Sequence, residues 1–354
     1  MKKEEEKMMN GSISKKVSVL FLVLLVAFVV MAPVSYGAPK AHKEMKLTMA
    51  TYIPVGYPVI YEEQKFFVDR VNEKGKGIVQ INAYWGGTLL GGAELLPGLQ
   101  AGTADIVFQT GAYLLGSFPI LGIQILPIWT SPEDSNKHLK MGTPLAQLQN
   151  DVLKKKDLFQ LATGGGVPEF LWTRKKLVRS PQDMKGLKIR VAGKVEAKII
   201  QALGAVPVTL PSAELPQALQ RGVVDGALMN PWSAPGRGVE EFCKYMLVYS
   251  LSEQSTPIYV KASTWAAWPD NVKEILSEAA AAWEKNLLYL IAEKYNLKRE
   301  IIPFYEKAGM KSVFPTEDDA KAFGKTLKPV VDWWVEQVGE DVGRKALKYT
   351  DFKY

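Results

Sequence analysis

Residues 181–231 constrain the fold most, because short strands alternate there with helices. Residues 187–192 form a brief apolar run interrupted by Lys188 and Arg190. Residues 195–203 have helical spacing and stop at Gly204, and residues 205–210 are short and β-branched. Ser212 is placed to cap a helix over 213–221, and Gly222 to end it in a left-handed turn. Residues 223–226 open a third strand. This order predicts parallel strands joined by crossovers, hence an α/β fold.

A second unit of the same kind comes earlier: strands near 46–50, 78–84 and 104–108, with helices over 58–72 and up to Gly102. In the first helix Phe66, Phe67, Val68 and Val71 are expected to point inward. Residues 93–105 match 213–225 at seven of thirteen positions, 120 residues apart. Two such units predict two lobes around a cleft, with ligand beyond the carboxyl ends of the strands. Asp105 and Asp225 read as turn or capping residues of the repeat. Gly164-Gly165-Gly166 reads as a flexible crossing between lobes. A helix over 271–298 is long enough to span both, and 317–338 forms a terminal helix. The expected division is 43–163 plus about 250–295 for lobe I, and 164–249 plus about 296–345 for lobe II.

Residues 1–37 read as a secretory signal peptide: Lys15-Lys16, fifteen uncharged residues, Pro33, then small residues around Ser35-Tyr36-Gly37. The apolar run is shorter than the roughly 20 residues of a spanning helix. Export to the periplasm is expected. Losing that segment removes five Lys and three Glu and takes the formal charge from +7 to +5, with basic residues scattered. Nucleic acid is not a suggested partner. Cys243 is the sole cysteine, so no intrachain disulfide forms, and it is expected to be buried.

No serine has nucleophile-elbow flanks, and no strand leads into a Walker or dinucleotide fingerprint. Neither His42 nor His138 reads as a metal ligand, so no cofactor or metal is expected. A binder fits better than an enzyme, although a carboxylate-based periplasmic enzyme and a ligand-sensing module for a membrane receptor are the alternatives. Arg190 needs an explanation, because a bare buried guanidinium costs several kcal/mol. It is either held in a structural ion pair or a solvated strand edge, or it forks around a ligand carboxylate.

The segments 183–191, 203–208 and 218–226, with Leu89-Leu90-Gly91-Gly92, Leu99-Gln100-Ala101-Gly102 and the long helix after Pro269-Asp270, together resemble the DctP-type solute-binding proteins of tripartite ATP-independent periplasmic (TRAP) transporters. The resemblance implies a two-lobe, type II-like periplasmic-binding-protein fold with hinge strands and a lobe-spanning helix. It implies capture of an organic anion between the lobes and delivery to small and large permease subunits, by a monomer. It assigns the carboxylate contact to Arg190 and makes Asn230 and Trp232 candidates. The sialic-acid members carry a second Arg twenty residues before the first. This chain has Phe170 there, which argues for one carboxylate and a more apolar body, walled by Phe170 and Trp172. Glu169 either meets a ligand hydroxyl or amine or is solvated.

Overall fold

The computed structural model describes residues 43–353. The expected signal peptide and His42 lie outside the described residues. Among these, no helix is long and apolar enough to cross a membrane.

Two sheets carry the fold. The first contains β1 (Met45–Thr51), β2 (Val79–Tyr84), β3 (Ile106–Phe108), β4 (Leu158–Ala162) and β10 (Ile258–Lys261), in the order β2-β1-β3-β10-β4. The second contains β5 (Val167–Thr173), β6 (Lys188–Val191), β7 (Val206–Thr209), β8 (Gly226–Met229), β9 (Tyr245–Gln254) and β11 (Lys311–Val313), in the order β11-β9-β5-β8-β6-β7. The units predicted from the repeat are parallel: β1 with β2 and β3, β6 with β7 and β8.

The repeat is structural as well as sequential. Helices α1 (Ile60–Lys74) and α2 (Leu95–Ala101) serve the first sheet, α3 (Lys194–Ala202) and α4 (Leu215–Arg221) the second. Gly102 and Gly222 close α2 and α4 at φ 79° and 72°, a backbone conformation that a Cβ disfavours. Asp105 accepts from the Thr48 N–H at 2.8 Å, and Asp225 from the Lys188 N–H at 2.9 Å. Each aspartate thus ties the entry of its unit's third strand to the first. Ser212 departs from expectation. Its N–H donates to Tyr113 Oη at 2.9 Å and its hydroxyl accepts from Arg237 at 3.2 Å. The helix itself starts later, at Leu215.

Helix α5 (Asp270–Tyr289) continues through wide π turns at Leu290–Lys294 and Leu297–Ile301. Its Leu276, Ala279, Ala280 and Trp283 pack in the core of the first sheet, and Leu287 with Leu290 and Ile291 in that of the second. One amphipathic helix therefore serves both apolar faces. Helix α6 (Glu317–Val338) is capped by a Thr316–Asp319 box, and Trp334 Nε1 donates to Pro119 O at 2.9 Å.

The glycine triplet 164–166 does join the two sheets, but it is not loose. A Cβ on Gly164, where φ is +78°, would lie 2.6 Å from the Trp283 ring, and one on Gly165 2.9 Å from Asn136. These glycines permit close packing at the crossing.

Candidate functional site

A cavity of about 700 Å³, mouth included, lies between the β1–α1 segment, the amino end of β5 and the carboxyl ends of β6 and β8, within the size range of small-molecule sites. Arg190 enters it from β6, whose neighbours are β7 and β8. The residue is 2% exposed. Its Nε donates to Leu210 O at 2.9 Å, which leaves the two terminal nitrogens for a ligand. Among the described residues no carboxylate forms an ion pair with it.

Carboxyls are nevertheless close. Glu169, on β5, is 3% exposed and accepts from Ser252 Oγ at 2.7 Å, so the solvated reading does not hold. Burial first, then the charge of Glu196, pushes its carboxyl up to about 8, against the pull of Ser252 and Arg190. Glu196, in the first turn of α3, is fully buried and accepts from Gln254 Nε2. Its carboxyl is also raised by burial, with Arg190 pulling the other way. Burial thus favours the protonated form of Glu169, which weakens its pull on the charge of Arg190.

Asn230 and Trp232 line the same cavity. Asn230 Oδ1 accepts from the Ser233 N–H at 2.8 Å, so its amide NH2 is the group left for a ligand. Trp232 Nε1 donates to Tyr295 O at 2.7 Å, so the indole offers its ring alone. Phe170 and Trp172 are a correction. Neither lines the cavity; both pack in the core of the second sheet, and Trp172 donates to Met229 O and lies 4.7 Å from the Tyr305 ring. Strand alternation explains it: if Glu169 faces the cavity, residues one and three places on, 170 and 172, face the other way.

The aromatic walls come instead from Tyr52, Tyr57 and Tyr113. Burial raises the hydroxyls of Tyr52 and Tyr57. Glu63, on α1, supplies a further acid and is 2% exposed. Cys243 is buried, and burial pushes its thiol up to about 12, which makes it inert. His138 sits in a small ion-pair cluster. Asp134 stands one helical turn before it, and its Nε2 is 3.8 Å from Asp134 and 3.2 Å from Asp351. Lys137 takes the same Asp351 oxygen at 2.8 Å, so the cluster ties the C-terminal segment to its helix.

A buried guanidinium bonded through Nε thus faces the cavity, a group whose charge and geometry suit an anion. The sequence pattern of the bacterial extracellular solute-binding proteins, family 7 (DctP), matches residues 49–337. The chain belongs to that family. As a family 7 member it is an extracytoplasmic solute-binding protein, not an enzyme. It is 27% identical over 256 residues to a solute-binding protein of Albidiferax ferrireducens, covering 70% of this chain and 72% of the relative. It is 26% identical over 281 residues to the C4-dicarboxylate-binding periplasmic protein of Rhodobacter capsulatus, covering 78% and 82%. The fold is similar to that of a Bordetella pertussis extracytoplasmic solute receptor that binds pyroglutamic acid, with TM-score 0.75 and 22% identity over 86% of this chain and 99% of that one.

Proposed function

We propose that this family 7 protein captures an organic acid by its carboxylate at Arg190 and delivers it to the membrane subunits of a TRAP transporter. The single observation that carries the reading is the buried guanidinium of Arg190, anchored through Nε alone. Asn230 and Glu169 add hydrogen bonds, and the Trp232 ring packs on the ligand body. Residues 1–37 direct export and are removed, so the monomer works in the periplasm. The lobes, divided as 43–163 with about 250–295 and 164–249 with about 296–345, close over the bound acid and exclude water, which strengthens the charge-assisted bonds. The small and large permease subunits then receive the closed form.

Affinity tests this reading. A charge-assisted bond to a buried anion is worth about 1.5–3 kcal/mol. Arg190→Lys, which keeps the charge and loses the fork, is expected to weaken binding at least roughly tenfold. The ligand comes from a thermal-shift screen of carboxylates, where about a hundredfold excess over Kd adds ~2.7 kcal/mol of stability. Parental affinity in Arg190→Lys would remove Arg190 from the site.

A further inference from the structure

Glu63 has no role in anchoring a carboxylate, yet it lines the same cavity as Arg190 from the other lobe. It lies on α1, beside the first sheet, whereas Arg190 lies on β6 in the second. One carboxylate oxygen accepts from Thr256 Oγ1 at 3.0 Å. The other, Oε2, is buried without a hydrogen-bond partner, and no Lys or Arg pairs with the side chain among the described residues. A buried carboxyl left half-satisfied is costly, so such a group marks where a donor belongs.

The surrounding charges indicate which donor. Among the described residues Arg190 is the sole cation lining the cavity, and Glu63 and Glu169 line it with Glu196 behind. Arg237 lies outside the lining, over the Tyr57 ring at 5.1 Å and bonded to Ser212. A second carboxylate on the ligand could bind there only while Glu63 keeps its proton and donates it. An ammonium would meet an acceptor in the Glu63 carboxylate, with Tyr52 and Tyr113 also on the walls.

We propose that Glu63 is a specificity residue for the far end of the ligand, and that the ligand is a zwitterionic amino acid held by its carboxylate at Arg190 and its ammonium at Glu63. This rests on the carboxylate-anchor reading above. The two ends are gripped by different lobes, so the zwitterion is also what holds the lobes together.

Binding then moves a proton. Burial raises the free Glu63 carboxyl to about 8, so it is largely protonated at pH 7 and must release close to one proton to meet an ammonium. Glu169, Arg190, Tyr52, Tyr57 and Tyr113 are the other ionisable groups on the walls.

The test is calorimetry on the mature chain with unbranched amino acids from glycine to 6-aminohexanoate. Each is matched to the dicarboxylate and the plain monocarboxylate of equal length. At one length the amino acid is expected to bind at least tenfold tighter than both counterparts. Heats in phosphate and in Tris should differ by close to one proton released. Glu63→Gln, which mimics the protonated form in shape and charge, should abolish both the preference and the release. Dicarboxylates winning at every length, or a preference or proton release that survives Glu63→Gln, overturns the assignment. Arg190→Lys is read separately: it should weaken the amino acid and the monocarboxylate alike, and its failure to do so would count against the anchor, not against Glu63.

Discussion

Glu169 shows how a single buried carboxyl makes stability depend on pH. Its folded carboxyl sits near 8, above the ordinary carboxylate value, as do those of Glu63 and Glu253, each chiefly through burial. In the unfolded chain these groups ionise first as pH rises, so the folded state binds the extra protons. Stability is therefore full below the unfolded value and is lost as pH climbs to about 8, at up to roughly 1.4 kcal/mol per pH unit for each group. The unliganded protein is expected to melt at a higher temperature at pH 5 than at pH 8. Glu169→Gln should flatten that dependence, and a melting temperature that rises from pH 5 to 8 would refute the argument. Arg190 was legible in the sequence because a guanidinium on an apolar strand demands a partner. Glu63 was overlooked, although it shares one helical face with Phe67 and Val71 at four-residue spacing, all three buried. A lone acid on an apolar stripe is the same kind of signal as a lone cation on a strand.

At the scale of elements, local pattern foretold nearly every strand and helix near the site. The repeat could be read because both copies use the same glycine turn and the same aspartate tie. What sequence could not supply was the face that β5 turns to the cavity. All seven of its residues are buried, so no polar–apolar alternation survives to give the phase. Phe170 and Trp172 were misplaced for that reason. The glycine crossing was misread for another: its constraint comes from Trp283, more than a hundred residues away in the chain. Gly164→Ala would place a methyl against that indole in a left-handed backbone conformation. Overpacking and backbone strain together predict a loss of roughly 1–3 kcal/mol, measured by denaturant unfolding. If Gly164→Ala unfolds at the parental denaturant midpoint, the crossing is free to relax away from both the indole and the left-handed conformation.

For the molecule as a whole, the question is where the two sheets are joined. The chain passes between the sheets at 163–166 and 255–257, and α5 runs along both cores. Glu284 ties α5 to the first of these crossings. Its carboxylate accepts from the N–H groups of Met141 at 3.2 Å, Thr163 at 3.1 Å and Gly164 at 3.4 Å, so the long helix holds the first crossing by its backbone. A polar seam continues to the cavity: Ser255 donates to Gln124, Thr256 to Glu63 and Thr110 to Gln254. Movement about such a joint must preserve these bonds, because each buried N–H left unpaired costs about 1–3 kcal/mol. Glu284→Ala is therefore expected to destabilise the protein by about 3 kcal/mol or more. It should also weaken ligand binding, though no cavity residue is touched, because the closed arrangement loses its fixed axis. Glu284→Gln keeps one acceptor and should lie between the two. Unfolding curves and calorimetry on the same preparations separate the effects. If Glu284→Ala unfolds at the parental denaturant midpoint and binds with parental affinity, the helix merely lies alongside the crossing, and the lobes are joined by the chain alone.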